Sequence, residues 1–305
     1  MRILLASFAA MLFACTGSTE LVDSGVTGGG GGEVAAGGGV ATGGGGQLGG
    51  GGGSLGGGGG SLGGGGGATG GGGGGTSTVD AGLSCAGRTW KFCEDFESAA
   101  PGALPSGWMT LMGWGQGTIT VSMDSAHDGT KSLKSSSPNT GEPRAQHSLS
   151  SLGATAGTHW GRVFYRVATP APNASNTSQW FHISFVGLRA NDESRVVDTV
   201  QSPSGTIQYL YNLPDDSCCN GSSYDWRYDG NWHCAEWYVN NGTDAYRFFL
   251  DGTELTSLAF TGKTAARLAD FTNIALGAIY YVPSNGTLTT YLDDLAIDDA
   301  RIGCQ

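Results

Sequence analysis

From about Gly28 to Gly75 the chain is nearly pure glycine, with Ser, Leu, Ala and Thr scattered through it, and it contains the short repeat GGGGGSLGGGGGSLGGGGG. Such a run has almost no side chains to bury, and glycine loses more backbone freedom on ordering than any other residue. The composition predicts a disordered, flexible coil with a typical reach of roughly 40 Å. It lacks the Gly-X-Y period and the proline of collagen. Any fold must therefore lie outside it. The chain has 305 residues, 57 of them Gly, and from about Gly82 onward its composition becomes that of a folded domain. The roughly 220 residues that remain suffice for one large core.

Ahead of the linker stands MRILLASFAAMLFAC. Arg2 gives a positive start, and Ile3 to Phe13 form an apolar run too short to span a bilayer comfortably. This pattern predicts a signal peptide over residues 1–14. The end of that run, Leu12-Phe13-Ala14-Cys15, resembles the bacterial lipobox, although Phe13 is larger than the usual small residue there. The resemblance implies cleavage before Cys15 and a lipid on its sulfur, with residues 15–81 as lipidated cysteine and tether. It implies a membrane partner through that lipid. Thr16 is not the aspartate that retains many lipoproteins in the inner membrane, which points to the outer membrane or cell surface. An ordinary signal peptide with a spare cysteine is the plainer alternative.

Six further cysteines follow: Cys85, Cys93, Cys218, Cys219, Cys234 and Cys304. An even count in an exported chain predicts disulfides, and the absence of any CxxC pair argues against zinc. The expected pairs join Cys234 to Cys218 or Cys219, and Cys304 to Cys93 or Cys85. The formal net charge of -11 argues against nucleic acid as a partner. It also makes a polyanion an awkward ligand unless the binding face is locally basic.

Strand signals dominate residues 82–305. GTITVSM, HWGRVFYRV, SQWFHISFVGL, GTIQYLYNL, NWHCAEWYVN, AYRFFLDG, NIALGAIYYV and LTTYLDDLAI alternate or are rich in β-branched and aromatic residues, and NGS, DGN, NGT and DGT turns separate them. Only KTAARLADF reads as helical. The pattern predicts an all-β antiparallel sandwich. The order of four pieces resembles the concanavalin A-like jelly roll: D-F-E before P-x-G-W, SAHDGTKSL, NWHCAEWYV with AYRFFLDGTEL, and the final YLDDLAIDDARIGC. Within that superfamily the arrangement is most similar to glucuronan lyases and a cellulose-induced secreted protein of fungi. The resemblance implies a domain that works on extracellular polysaccharide, and the expected state is a monomer.

KFCEDFES, residues 91–98, crowds Glu94, Asp95 and Glu97 around Phe96. Like charges so close repel and resist burial. The jelly roll places first and last strands side by side, which would bring Asp95 and Glu97 towards Asp293 and Asp294, with Asp128 of the SAHDGT turn nearby. Such an oxygen-only set suits calcium, and the resemblance implies a structural Ca2+ there, with Glu97 and one of the final aspartates as leading ligands. The plainer reading is a solvated acidic edge that blunts strand pairing, with Glu94 on the solvated side.

Relatives bind glycans on one sheet. Alternation puts Phe181, Ile183 and Phe185 on a core face and Trp180, His182 and Ser184 opposite. It puts Trp237 and Val239 in the core, with Cys234, Glu236 and Tyr238 opposite. Trp160, Arg162, Phe164 and Arg166 oppose His159, Val163, Tyr165 and Val167, and Gln208 and Asn212 oppose Tyr209 and Tyr211. The expected groove holds His182, Arg162 or Arg166, Gln208, Glu236 and a tyrosine, either Tyr211 or Tyr280. This set suits β-elimination on a uronic polymer. A cation or amide neutralises the sugar carboxylate, a His or Tyr takes the α-proton, and a Tyr protonates the leaving oxygen. Relatives with lyase activity use these residue types. A glycosidase would need a partner for Glu236. A lone strand histidine is more often a satisfied polar group than a base, and strand tryptophans are more often core than sugar platforms. A non-catalytic carbohydrate-binding module, or a structural or adhesive surface protein, is therefore the competing expectation.

Overall fold

The computed structural model describes residues 85–111, 113–172, 181–201, 207–213, 216–217, 228–262, 268, 271–281 and 286–304, with the backbone alone at Phe181, His182, Gln201, Ile207, Asp216 and Ser217. The signal segment, Cys15, the glycine linker, Trp180, Cys218, Cys219 and most of KTAARLADF lie outside the described residues. The chain divides into two units, Met1–Ser77 and Thr78–Gln305, and every described residue belongs to the second.

Its strands, in chain order, are β1 (Phe92–Glu94), β2 (Trp108–Leu111), β3 (Thr118–Ser122), β4 (Ser132–Ser137), β5 (Arg144–Ser148), β6 (Thr158–Val167), β7 (Phe181–Arg189) and β8 (Glu193–Gln201). They continue as β9 (Ile207–Leu213), β10 (Asp216–Ser217), β11 (His233–Asn240), β12 (Ala245–Leu250), β13 (Thr253–Glu254), β14 (Asn273–Tyr280) and β15 (Leu288–Asp298). All pairings are antiparallel. One sheet runs β13-β12-β11-β6-β15-β4-β3, with β1 also on β15, and the other runs β10-β9-β8-β7-β14-β5-β2. The DGT turn does what its residues allow. Asp251 and Gly252 both take positive φ, 48° and 81°, as a two-residue hairpin between right-twisted strands requires.

The two sheets pack face to face as a jelly-roll sandwich. Tyr165 of the first sheet meets Phe185 of the second at 4.9 Å between ring centroids, and Phe248 meets Tyr209 at 5.0 Å. Tyr246 donates its hydroxyl to the Val196 carbonyl across the layer at 2.8 Å. Each large buried side chain of this kind contributes roughly 2 kcal/mol through area removed from water. The alternation read from β6, β7 and β11 holds: His159, Val163, Tyr165, Ile183, Phe185, Trp237 and Val239 are all buried. Trp237 lies over Gly161, where any Cβ would overlap the indole.

β15 is central. Along one side it pairs with β6, and along the other it carries β4 at Leu288–Leu292 and then β1 at Leu295–Ile297, in tandem. Between those two stretches lies Asp293-Asp294, where the register with β6 shifts and Asp294 takes φ 49°.

Among the described residues the disulfides are Cys85–Cys93 and Cys234–Cys304. This corrects the expected pairs. Cys304 is bound to Cys234, not to Cys93 or Cys85, because the tail after β15 crosses back over β11, where Gly303 N–H donates to Glu236 Oε1 at 2.7 Å and Arg301 Nε meets Oε2 at 2.9 Å.

Candidate functional site

The carboxylates of KFCEDFES each have their own donors. β1 ends at Glu94, and Phe96 turns the chain with φ 61°. Glu94 is not a solvated edge residue. It accepts the Trp108 indole N–H at 3.0 Å and the Phe96 amide at 2.9 Å, and burial pushes its pKa up. Asp95 accepts the Glu97 amide at 3.2 Å. Glu97 reaches the 125–131 loop, accepting the amides of Thr130 (2.7 Å) and Lys131 (2.6 Å) and the Thr130 hydroxyl (2.9 Å). The Lys131 ammonium sits on the Glu97 and Ala99 carbonyls at 2.6 and 2.9 Å. The other end of the same loop is held by β15. His127 donates its amide to Asp293 at 2.8 Å, and its Nδ1 meets Asp294 Oδ2 at 2.7 Å. Asp128 caps its own turn at the Gly129 amide, 2.8 Å away. Loop 125–131 thus plugs the gap between β1 and β4.

Asp293 and Asp294 are 0% and 1% exposed. Burial, and then the Asp294 charge, push Asp293 up to about 9, and burial also raises Asp294 against the pull of His127 and Arg162. Asp294 Oδ1 is buried and has no hydrogen-bond partner among the described residues. Both Asp293 oxygens already accept backbone amides, from His127 and Asp294, so the pair offers a hard cation one unspent oxygen, that of Asp294. Glu97, both of whose oxygens are engaged by the loop, fits that role less well. Among the described residues no group of three or more His, Cys, Asp or Glu side chains converges as a metal cage.

The residues expected in one groove lie on two different sheets. Arg162 and Arg166 on β6 and Glu236 on β11 belong to the first sheet, whereas His182 on β7, Gln208 on β9 and Tyr280 on β14 belong to the second. The structure therefore corrects their grouping. Arg162 is 1% exposed, lies 4.7 Å from the Trp90 ring, and is brought down to about 10 by burial. Arg166 ties Gly230 O (2.5 Å) to Ser125 Oγ (2.7 Å). Glu236 is buried and spent on Arg301 and Gly303. These three groups hold loops and the C-terminal tail. Tyr211 and Tyr280 are also corrected: both are buried in the core between the sheets, at 3% and 0% exposure. Gln208, half-buried, is opposite Val200, and Val200 is also opposite His182 in the ladder. The His182 side chain lies outside what is described.

What the outer face of the second sheet does assemble is a charge network around Arg144 on β5. Arg144 is 1% exposed; its backbone and Cγ pack on Gly277, where a Cβ would come within 2.8 Å of its Cα, and its Nη1 lies against Gly187, where one would come within 3.0 Å. Two glycines clear the floor for it. Arg144 grips Glu193 through two hydrogen bonds of 2.7 and 2.8 Å and also binds Glu142. Arg189 and Arg195 each approach Glu193 at 3.4 Å. Burial alone would raise Glu193, but these arginines outweigh it, Arg144 foremost, and hold it below the usual carboxylate range. Arg144 Nε and the buried Ser184 Oγ have no hydrogen-bond partner among the described residues. Arg195 also stands over the Tyr281 ring at 5.1 Å, and Trp114 packs on the same ring at 5.7 Å. Burial holds Tyr281 above the ordinary tyrosine value, so it is a protonated phenol at neutral pH.

Sequence reasoning missed this cluster. For Tyr281 the signal was available: Ile274, Leu276, Ala278 and Tyr280 alternate into the core, which leaves Tyr281 on the opposite face.

No protein-family model matches the chain, and no curated protein sequence matches it. Among solved structures it is similar to a cellulose-induced protein, Cip1, with 20% identity over 70% of this chain and 100% of that one, at a TM-score of 0.52. It is also similar to an endo-β-1,4-glucuronan lyase from the fungus Trichoderma reesei, with 14% identity over 70% of this chain and 96% of that one, at a TM-score of 0.45. The first of these likenesses establishes the fold, a jelly-roll sandwich.

Proposed function

We propose that the domain binds extracellular polysaccharide on the outer face of its second sheet and cleaves uronic polymers there by β-elimination. The observation that supports this reading best is the Arg144–Glu193–Arg195–Tyr281 cluster. Three arginines, Arg144, Arg189 and Arg195, face Glu142 and Glu193, and Asp198 also acts on Tyr281, so the charges here balance in a chain of net charge -11. A balanced spot with an arginine at its edge repels an anionic sugar less than the rest of the surface does. In this reading Arg195 neutralises the sugar carboxylate, which makes the α-proton acidic. His182 takes that proton, and Tyr281, protonated, gives one to the leaving oxygen. Arg144 positions Glu193 and with it Arg195. Gln208 holds the carboxylate or a neighbouring hydroxyl.

The reading places the protein outside the cytoplasm, lipid-anchored at Cys15 and carried on the glycine tether as a monomer. Two disulfides among the described residues suit an oxidising compartment. Calcium, in this reading, is held by Asp293 and Asp294 and supplies only neutralisation of their buried charge.

The test mixes the protein with uronic and neutral polysaccharides and follows the ultraviolet absorbance of the unsaturated ends that β-elimination leaves. A rise with one polymer that vanishes in His182→Ala supports the lyase. Retardation by a polymer in affinity gels without any rise replaces it with a binding module, and neither signal leaves a surface scaffold.

A further inference from the structure

We infer that Trp114 and Tyr281 form a shelf on which the C–H face of one pyranose residue stacks. The inference rests on the polysaccharide reading above and adds to it the subsite that grips the sugar ring. Trp114 is 38% exposed, and among the described residues it is the only large aromatic side chain so open. A tryptophan left half in water needs a reason in its surroundings, because scattered exposure alone says little. Here the surroundings are specific. The indole is tilted 33° from the Tyr281 ring at 5.7 Å, so the two rings form one shallow apolar ledge rather than separate side chains. Arg195, over the same Tyr281 ring at 5.1 Å, and the Arg144–Glu193 pair put polar groups beside it. An apolar ledge with charged groups at one side matches a pyranose, which has apolar C–H faces and a hydroxyl or carboxylate rim.

The ledge is also rigid. Trp114 sits beside Gly115, whose φ is 73°, and Gly115 bridges Gly141, which in turn bridges Tyr280. A Cβ on Gly115 or Gly141 would overlap the facing backbone. The Trp114 carbonyl accepts the Glu142 amide at 3.1 Å, and Gly141 and Tyr280 exchange hydrogen bonds of 2.9 and 2.8 Å. The segment that carries Trp114 is therefore laced to the β14 strand end that carries Tyr281. Little ordering remains to be done when a sugar arrives.

The test is affinity electrophoresis of the full chain in detergent, through gels containing polygalacturonate, alginate, glucuronan, xylan or mixed-linkage β-glucan. The wild type and Trp114→Ala and Trp114→Phe variants are compared. Trp114→Ala should stay folded with a somewhat lower melting temperature, because backbone bonds hold its segment, yet lose about ten-fold in affinity for the retarding polymer, while Trp114→Phe keeps most of it. If Trp114→Ala is retarded as strongly as the wild type, the shelf is wrong and the polysaccharide reading stands. If no polymer retards the wild type but one yields the ultraviolet rise, the shelf alone falls, and if none does either, both fall.

Discussion

Trp237 donates its indole N–H to Nε2 of His159 at 3.1 Å, in the middle of the sandwich. The other ring nitrogen of His159 lies 3.1 Å from the carbonyls of both Thr155 and Ala156. The imidazole is therefore neutral, a donor at Nδ1 and an acceptor at Nε2. Burial takes its pKa from 6.5 down to about 4. The unfolded chain binds a proton below its ordinary value and the folded one does not until about pH 4. Stability attached to this group is thus complete above pH 6.5 and falls as pH drops to 4, by about 3 kcal/mol in all. Urea unfolding of the wild type and His159→Gln at pH 7.5 and 4.5 measures it: the loss between the two pH values should be smaller in the variant.

His233 works in the opposite sense. Burial alone would lower its pKa, but Asp251 at 2.9 Å and Asp229 at 3.2 Å outweigh it and raise it. The folded state holds this proton better, so the stabilisation is complete below the ordinary histidine value and is lost as pH rises through the raised one. His233→Gln should therefore lower the melting temperature more at pH 5.5 than at pH 8.5. A difference that is equal at both would refute the clamp.

Arg144 has buried partners that cannot be left alone. Arg144→Met strands Glu142 and part of the Glu193 charge and should destabilise by about 3–5 kcal/mol. Adding Glu142→Gln and Glu193→Gln to that variant should recover much of the loss. Chemical denaturation of the single and triple variants checks both statements.

Chelation should lower the melting temperature of the wild type, since the adjacent Asp293 and Asp294 lose a shared counterion. Asp294→Asn should melt at the same temperature with and without chelator. Glu97→Ala should lose stability in both conditions, because its oxygens hold the loop amides. Coincident wild-type curves with and without chelator would dispose of the calcium.

The Cys234–Cys304 bond closes a loop with a sequence separation of 70. Cutting so long a loop with Cys304→Ser should destabilise by about 4 kcal/mol. The guanidinium midpoint of the variant, compared with the oxidised wild type, reads that difference.

The face of each strand was legible in the sequence wherever large apolar residues alternate. Val163, Tyr165, Trp237 and Val239 all point where period two puts them. What alternation cannot tell is which sheet a strand joins. Arg162 and Ser184 each oppose a core face, yet β6 and β7 lie in different layers. Arg144 left no local signal, because RAQHS is short and polar and its partner Glu193 lies 49 positions away. Its burial depends on Gly187 and Gly277 from two other strands. The acid cluster was visible as a crowd of charges, but many of its donors, among them the amides of His127, Thr130 and Lys131, are backbone groups that no residue type announces. The cysteine pairs failed for a related reason: only the path of the tail over β11 brings Cys304 to Cys234.

The tandem seating of β1 and β4 along β15 has a consequence for timing. The strand that completes the first sheet is the last of the fifteen to be made. Until residues 288–298 are present, β6 and β4 have no common neighbour, and the acids that pin the 125–131 loop are missing. A chain made N-terminus first delivers that strand last. The first sheet then stays open until nearly the whole domain has emerged, and closes only with its final residues.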